Sequence, residues 1–151
     1  MRMWTKLAIA GAMLVPFAGG VALAEAEPDE AIKYRKAVMQ AIGGHTKASA
    51  AIITGKAGTA EDLKLHAPAL YMSAMTALEA FRQNTHGQGA EKTTAAEAIW
   101  TDWAGFEGKM ENLVVAARNL ASAAEAGNAG GEQLKALGGT CKACHDDYRT
   151  K

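Results

Sequence analysis

Apolar positions along this chain recur at intervals of three, four and seven and almost nowhere alternate. From Pro28 onward, Ile32, Met39, Ile42, Ser49 and Ile53 fall on one stripe, as on an amphipathic helix. Proline is tolerated in a first helical turn, and Asp29 and Glu30 suit the positive end of a helix dipole. Gly43-Gly44 interrupts the segment at a cost of about 1 kcal/mol per glycine relative to alanine. It marks either a local kink or a place where something approaches the backbone closely. Thr59-Ala60-Glu61-Asp62 reads as a second helix start, a threonine cap with an acidic residue three positions on. The stripe that follows is Leu63, Leu70, Ala74, Ala77 and Phe81, with Met75 and Leu78 alongside and Met72 and Met75 read as core. This helix is expected to reach about Arg82, with a kink or a late start at Pro68.

Gln83 to Lys92 contains two glycines and little apolar content, so it is read as the longest loop. Thr94 to Trp100 is expected to form a short turn of helix. Asp102 can then cap a third long helix carrying Phe106, Met110, Leu113, Ala117 and Leu120, closed by Gly127-Asn128. The last helix is expected from near Glu132, with Leu134, Leu137, Cys141, Cys144 and Tyr148 on it. No run of alternating β-branched residues suggests a strand. The fold class is therefore all-α, an antiparallel four-helix bundle. Its inner faces are rich in alanine, which allows close packing but fills little volume, a hint of a bulky buried filler.

The first 24 residues change the expected location. Arg2 and Lys6 precede an uncharged stretch from Leu7 to Leu23 that ends in Ala22-Leu23-Ala24, just before Glu25, Glu27, Asp29 and Glu30. That is the layout of a secretory signal peptide. The apolar run is broken by Pro16 and Gly19-Gly20 and is shorter than the ~20 residues needed to cross a bilayer. Residues 1–24 are thus read as a removed signal and 25–151 as one domain, exported to a periplasm without stable membrane insertion. The chain of 151 residues has 16 basic and 16 acidic side chains. Losing Arg2 and Lys6 leaves it slightly acidic, and no block of like charges offers a footprint for nucleic acid. No Ser/His/Asp set, paired-carboxylate motif or phosphate loop stands out, so the protein is not read as an enzyme.

The candidate chemistry lies near the end, in Cys141-Lys142-Ala143-Cys144-His145. C-x-x-C-H is the pattern for covalent attachment of haem. Two thiols three apart share one helix face and can form thioether bonds to one porphyrin, and the next histidine is carried under the ring, where it can bind iron. One such motif implies one haem c, and two committed thiols suit an oxidising compartment. The alternative of another class is a haem-free dithiol or metal-binding protein. A redox dithiol would want a strand before its motif. A zinc site would need a further ligand from His45, His66 or His86, and adjacent Cys144 and His145 reach one tetrahedral ion with difficulty. His45, in a turn, His66, on a polar helix face, and His86, in the loop, are read as surface residues. Trp100 and Trp103 are read as packing under the loop.

Together with Asp146-Asp147-Tyr148-Arg149, the preceding Leu137-Gly138-Gly139-Thr140 and the early Lys33-Tyr34-Arg35, this motif resembles the class II cytochromes c, which comprise cytochrome c prime and its low-spin relatives. The resemblance implies a periplasmic four-helix bundle enclosing one haem, often a homodimer formed through the first two helices. It implies that Cys141 and Cys144 attach the haem and that His145 is the proximal iron ligand. It also implies that Arg35 lies near the propionates, with Arg149 assisting, although residue type alone would place Arg35 on the solvated surface. Met39, one turn after Arg35, falls where low-spin relatives use a methionine sulfur as sixth ligand and cytochromes c prime place a side chain without a bond. The expected function is electron transfer between periplasmic redox proteins, with Met39 bound to the iron; the alternative is a gas-binding protein. With Met39 unbound, it would bind a small gas such as nitric oxide or carbon monoxide.

Overall fold

A computed structural model describes residues 25–151; the expected signal peptide, residues 1–24, lies outside the described residues. Five helices follow in order: α1 Pro28–Ile53, α2 Ala60–Ala77, α3 Ala98–Thr101, α4 Trp103–Glu125 and α5 Gly131–Tyr148. The four long ones form the expected bundle, and the single turn α3 closes the loop that precedes α4. A short 3-10 turn, Glu79–Phe81, prolongs α2. Among the described residues there is no strand, only one isolated antiparallel bridge between Ala95 and Arg149.

Local chemistry sets the helix ends. Thr59 Oγ1 accepts the backbone N–H of Asp62 at 3.2 Å, while Asp62 accepts that of Thr59 at 2.8 Å, so two otherwise orphaned donors are satisfied reciprocally. Pro68 does not delay α2, which is helical through it from Ala60. Asp102 Oδ1 accepts the Gly105 N–H at 3.2 Å and caps α4. That helix ends where Gly127 takes φ 71°, a conformation that costs glycine alone nothing. Gly43 and Gly44 do not interrupt α1, which is continuous through them.

The buried stripe of α2 is Leu63, Ala67, Leu70, Ala74 and Ala77, and that of α4 runs Phe106, Met110, Leu113, Ala117, Leu120. Met72 and Met75 were expected in the core and are instead 62% and 50% exposed. At 3.6 residues per turn, they fall on the far side of α2 from Leu63 and Leu70, so helix phase overrides side-chain type. Helix α1 packs on α2, α2 on α4 and α4 on α5, but α1 and α5 scarcely touch. The bundle is therefore open along one seam.

Candidate functional site

The open seam is a cleft. Its larger chamber, ≈ 480 Å³, lies between α1, α5 and the 82–97 connection, and a smaller one of ≈ 200 Å³ continues it towards Leu113 and Cys141. Met39, Gly43 and Lys47 of α1, Met110 of α4, and Cys144 and His145 of α5 border both chambers. The apolar wall of the larger one is Phe81, Ile99, Phe106 and Met110. A Cβ added at Gly43 or Gly44 would meet no protein atom within 4 Å. The pair is therefore not explained by close packing of this chain on itself; it widens the cleft.

Cys141 and Cys144 are free thiols, half-buried on the cleft face of α5. Burial pushes both thiols up from their ordinary pKa, so neither is an activated thiolate of the redox-dithiol kind. His145 is exposed in the polypeptide alone, and burial followed by the nearby Arg149 charge lowers its pKa, favouring the neutral ring that can bind a metal. Among the described residues no cluster of three or more His, Cys, Asp or Glu side chains could hold a metal ion. The motif thus brings together two thiols and an imidazole along one cleft without forming a closed zinc site.

Arg35 departs most from the reading of residue type. It is 2% exposed, not solvated. Its Nε donates to the Ala80 carbonyl at 3.1 Å, one terminal nitrogen to Thr85 Oγ1 at 3.0 Å and the other to the Gln83 carbonyl at 3.1 Å. The guanidinium also lies over the Phe81 and Trp100 rings, 4.9 and 5.1 Å from their centroids. Among the described residues no carboxylate pairs with it, and burial lowers its pKa. A guanidinium has five N–H groups, so one on each terminal nitrogen remains uncommitted. A buried cation that borders the cleft, with spare donors and no counter-charge, fits a cofactor that brings its own carboxylates.

The loop from which no site residue could be read supplies one wall. Asp29 accepts the N–H groups of Ala90 and Glu91 at 2.7 and 2.8 Å, which hold its carboxyl below the usual range. Lys36 pairs with Glu91, and Gln83 donates to the Ala26 carbonyl at 2.7 Å. At its far end the Thr150 N–H donates to the Thr94 carbonyl at 2.9 Å and the Ala96 N–H to that of Tyr148 at 3.0 Å. Thr93, Thr94 and Ala95 thereby border the cleft beside Arg149, whose Nε reaches Thr94 Oγ1 at 3.3 Å. Trp100 and Trp103 are half-buried against the core, and Trp100 Nε1 donates to the Phe81 carbonyl at 2.9 Å.

Tyr148 fixes α5 against α4. Its hydroxyl donates to Asp102 Oδ2 at 2.6 Å, and that bond is the main reason its pKa is pushed up to about 12. Asp102 thus serves a helix cap with one oxygen and Tyr148 with the other. A Cβ at Gly105 would collide with Asp102 Oδ2 and the Tyr148 hydroxyl together. Gly105→Ala is therefore expected to destabilise the protein by about 2 kcal/mol, read as a lower denaturant midpoint with an unchanged m-value. A midpoint equal to wild type would show that the tie can shift without loss.

The Cytochrome C' family model matches residues 30–149. Cytochrome c' of Pararhodospirillum photometricum is 36% identical over 126 residues, 82% of this chain and 99% of that one. Among solved structures, cytochrome c' of Rubrivivax gelatinosus superposes with a TM-score of 0.73 at 28% identity, covering 82% of this chain and 98% of that one. A mutant of cytochrome c prime from Alcaligenes xylosoxidans, solved as a nitric oxide complex, gives 0.73 at 29% identity over 83% of this chain and 98% of its own. The chain therefore belongs to the cytochrome c prime family of class II cytochromes c, four-helix bundles that carry a covalently attached haem c.

Proposed function

We propose that this protein is a periplasmic, non-enzymatic haem protein that binds a small diatomic gas such as nitric oxide. Cys141 and Cys144 would hold the macrocycle by thioether bonds, His145 would bind its iron, and Arg35 would offer its spare donors to a propionate. Met39 would pack against the bound group without a bond to its iron. The haem supplies an iron with an open coordination position, and the chain decides what reaches it. Phe81, Ile99, Phe106 and Met110 exclude water and favour a neutral ligand. What carries this reading is the place of Met39: half-buried and packed against the core, it narrows the cleft it shares with His145. The nitric oxide complex of a related protein supports the ligand class.

A second copy suits the outward side of the first two helices. Tyr34 of α1 and Leu65, Met72 and Met75 of α2 are all at least half exposed. Export through residues 1–24 fits the cofactor chemistry. Among the described residues no helix is long and apolar enough to cross a membrane.

Electron transfer between periplasmic redox proteins, with the Met39 sulfur bound to iron, is the second reading, favoured by Met39 and His145 bordering the same two chambers. The oxidised protein's absorption spectrum separates them. We expect a high-spin, five-coordinate spectrum that Met39→Ala leaves unchanged. Removing about 1–2 kcal/mol of crowding should speed carbon monoxide association roughly tenfold. A low-spin, six-coordinate spectrum that becomes high-spin in Met39→Ala would overturn gas binding in favour of the carrier.

A further inference from the structure

His45 and His66, read from sequence as separate surface residues, face each other across the α1–α2 interface. His45 sits in the middle of α1, not in a turn, and its Nδ1 lies 3.0 Å from Nδ1 of His66. The rings are tilted by 52° with centroids 5.3 Å apart, and both side chains are half-buried, so solvent reaches the pair. Two neutral imidazoles can be this close only if one donates its Nδ1–H to the lone pair of the other. The same separation has a second meaning. With metal–nitrogen bonds of about 2.0–2.1 Å, two imidazole nitrogens on one ion stand about 2.9 Å apart at a right angle and about 3.3 Å apart at the tetrahedral angle.

We infer that His45 and His66 form a binding site for a late first-row divalent cation, with copper(II) or zinc(II) as its chemical class. The ion takes the place of the proton between the two rings and sits about 1.4 Å off the line joining the nitrogens. Rotation about χ2, a soft torsion for histidine, turns both lone pairs towards it. Imidazole suits copper and zinc, and affinity for a given nitrogen site rises to copper(II). Asp62, one turn before His66 on α2, adds negative charge, although its carboxylate is held by Thr59 and is not a ligand. Because no third His, Cys, Asp or Glu joins the pair among the described residues, water completes the coordination. The site is an open two-histidine clasp between α1 and α2, separate from the cleft between α1 and α5.

Copper(II) titrated into the oxidised holoprotein tests this. We expect one equivalent per chain, with an electron paramagnetic resonance signal showing two coordinating imidazole nitrogens. His45→Gln and His66→Gln should each weaken binding by at least about tenfold, the loss that even an outer partner of a metal ligand can cause. His86→Gln should leave it unchanged, and the haem spectrum and helical circular dichroism of every variant report intact folding. Copper binding equal in wild type, His45→Gln and His66→Gln, or no binding to the wild type at millimolar copper, would overturn the assignment. The pair would then be a hydrogen bond between two helices and nothing more.

Discussion

Replacing Cys141 and Cys144 together by serine is expected to yield a protein with no covalently bound haem and no sharp unfolding transition. The first effect follows from chemistry, since a hydroxyl does not form the thioether. The second follows from the open seam. Where α1 and α5 scarcely touch, Met39, Gly43, Gly44, Cys144 and His145 border a cleft that the polypeptide does not fill. Alanine dominates the remaining inner positions of α2, so neighbouring helices cannot close the gap by changing rotamers. Domains have only about 5–15 kcal/mol of stability, and a cleft left unfilled between α1 and α5 forgoes the apolar burial that would add to it. The double variant should keep its far-ultraviolet helical signal, lose near-ultraviolet structure and bind a hydrophobic dye. Denaturing mass spectrometry checks the first claim and the dye and melting curve the second. A serine variant that melts cooperatively at the wild-type midpoint would mean the bundle closes on itself. Each single variant should retain haem through one thioether with a smaller fall in midpoint.

The gap was only partly legible in the amino-acid order. C-x-x-C-H names the cofactor because two thiols and an imidazole at that spacing have few other uses, and Thr59 with Asp62 announces a helix start because both partners of the box are local. Arg35 shows where local reasoning stops. Its position was readable, since it lies three residues after Ile32 and seven before Ile42 on the buried face of α1. Its residue type argued the other way. What reconciles the two is a set of acceptors some 45 to 50 positions further on, Ala80, Gln83 and Thr85, which no local pattern reveals. Thr85, 1% exposed in a connection with little apolar content, was hidden for the same reason. Met72 and Met75 err in the opposite direction. Their helical phase already placed them outside, and the methionine side chain alone suggested the core. The His45–His66 pair depends on how α1 and α2 pack side by side, a long-range relation with no trace in spacing.

Arg35→Leu is expected to destabilise the holoprotein by about 3 kcal/mol or more, the largest loss of any single side-chain change outside the attachment motif. Leucine can fill much of the space, so the cost is polar. The Ala80 and Gln83 carbonyls and the Thr85 hydroxyl would lose their donor, and a buried polar group left unpaired costs about 1–3 kcal/mol. The contacts with the Phe81 and Trp100 rings go as well. Removing an unneutralised buried cation would offset part of this in a protein without its cofactor, but not where a propionate supplies the counter-charge. The comparison is therefore informative in itself: Arg35→Leu should lower the unfolding midpoint of the holoprotein clearly, whereas in the Cys141/Cys144 serine background it should change dye binding little. Arg35→Lys should recover less than half of the loss, because an ammonium cannot direct three donors and a further pair in one plane. Denaturant midpoints of the holoprotein, Arg35→Leu and Arg35→Lys, with dye binding of the serine background with and without Arg35→Leu, decide the matter, and amide hydrogen exchange at Thr85 reports whether the 82–97 connection has come loose from α1. Exchange at Thr85 that Arg35→Leu speeds equally with and without haem would show that Arg35 serves only that connection and has no part in holding the cofactor.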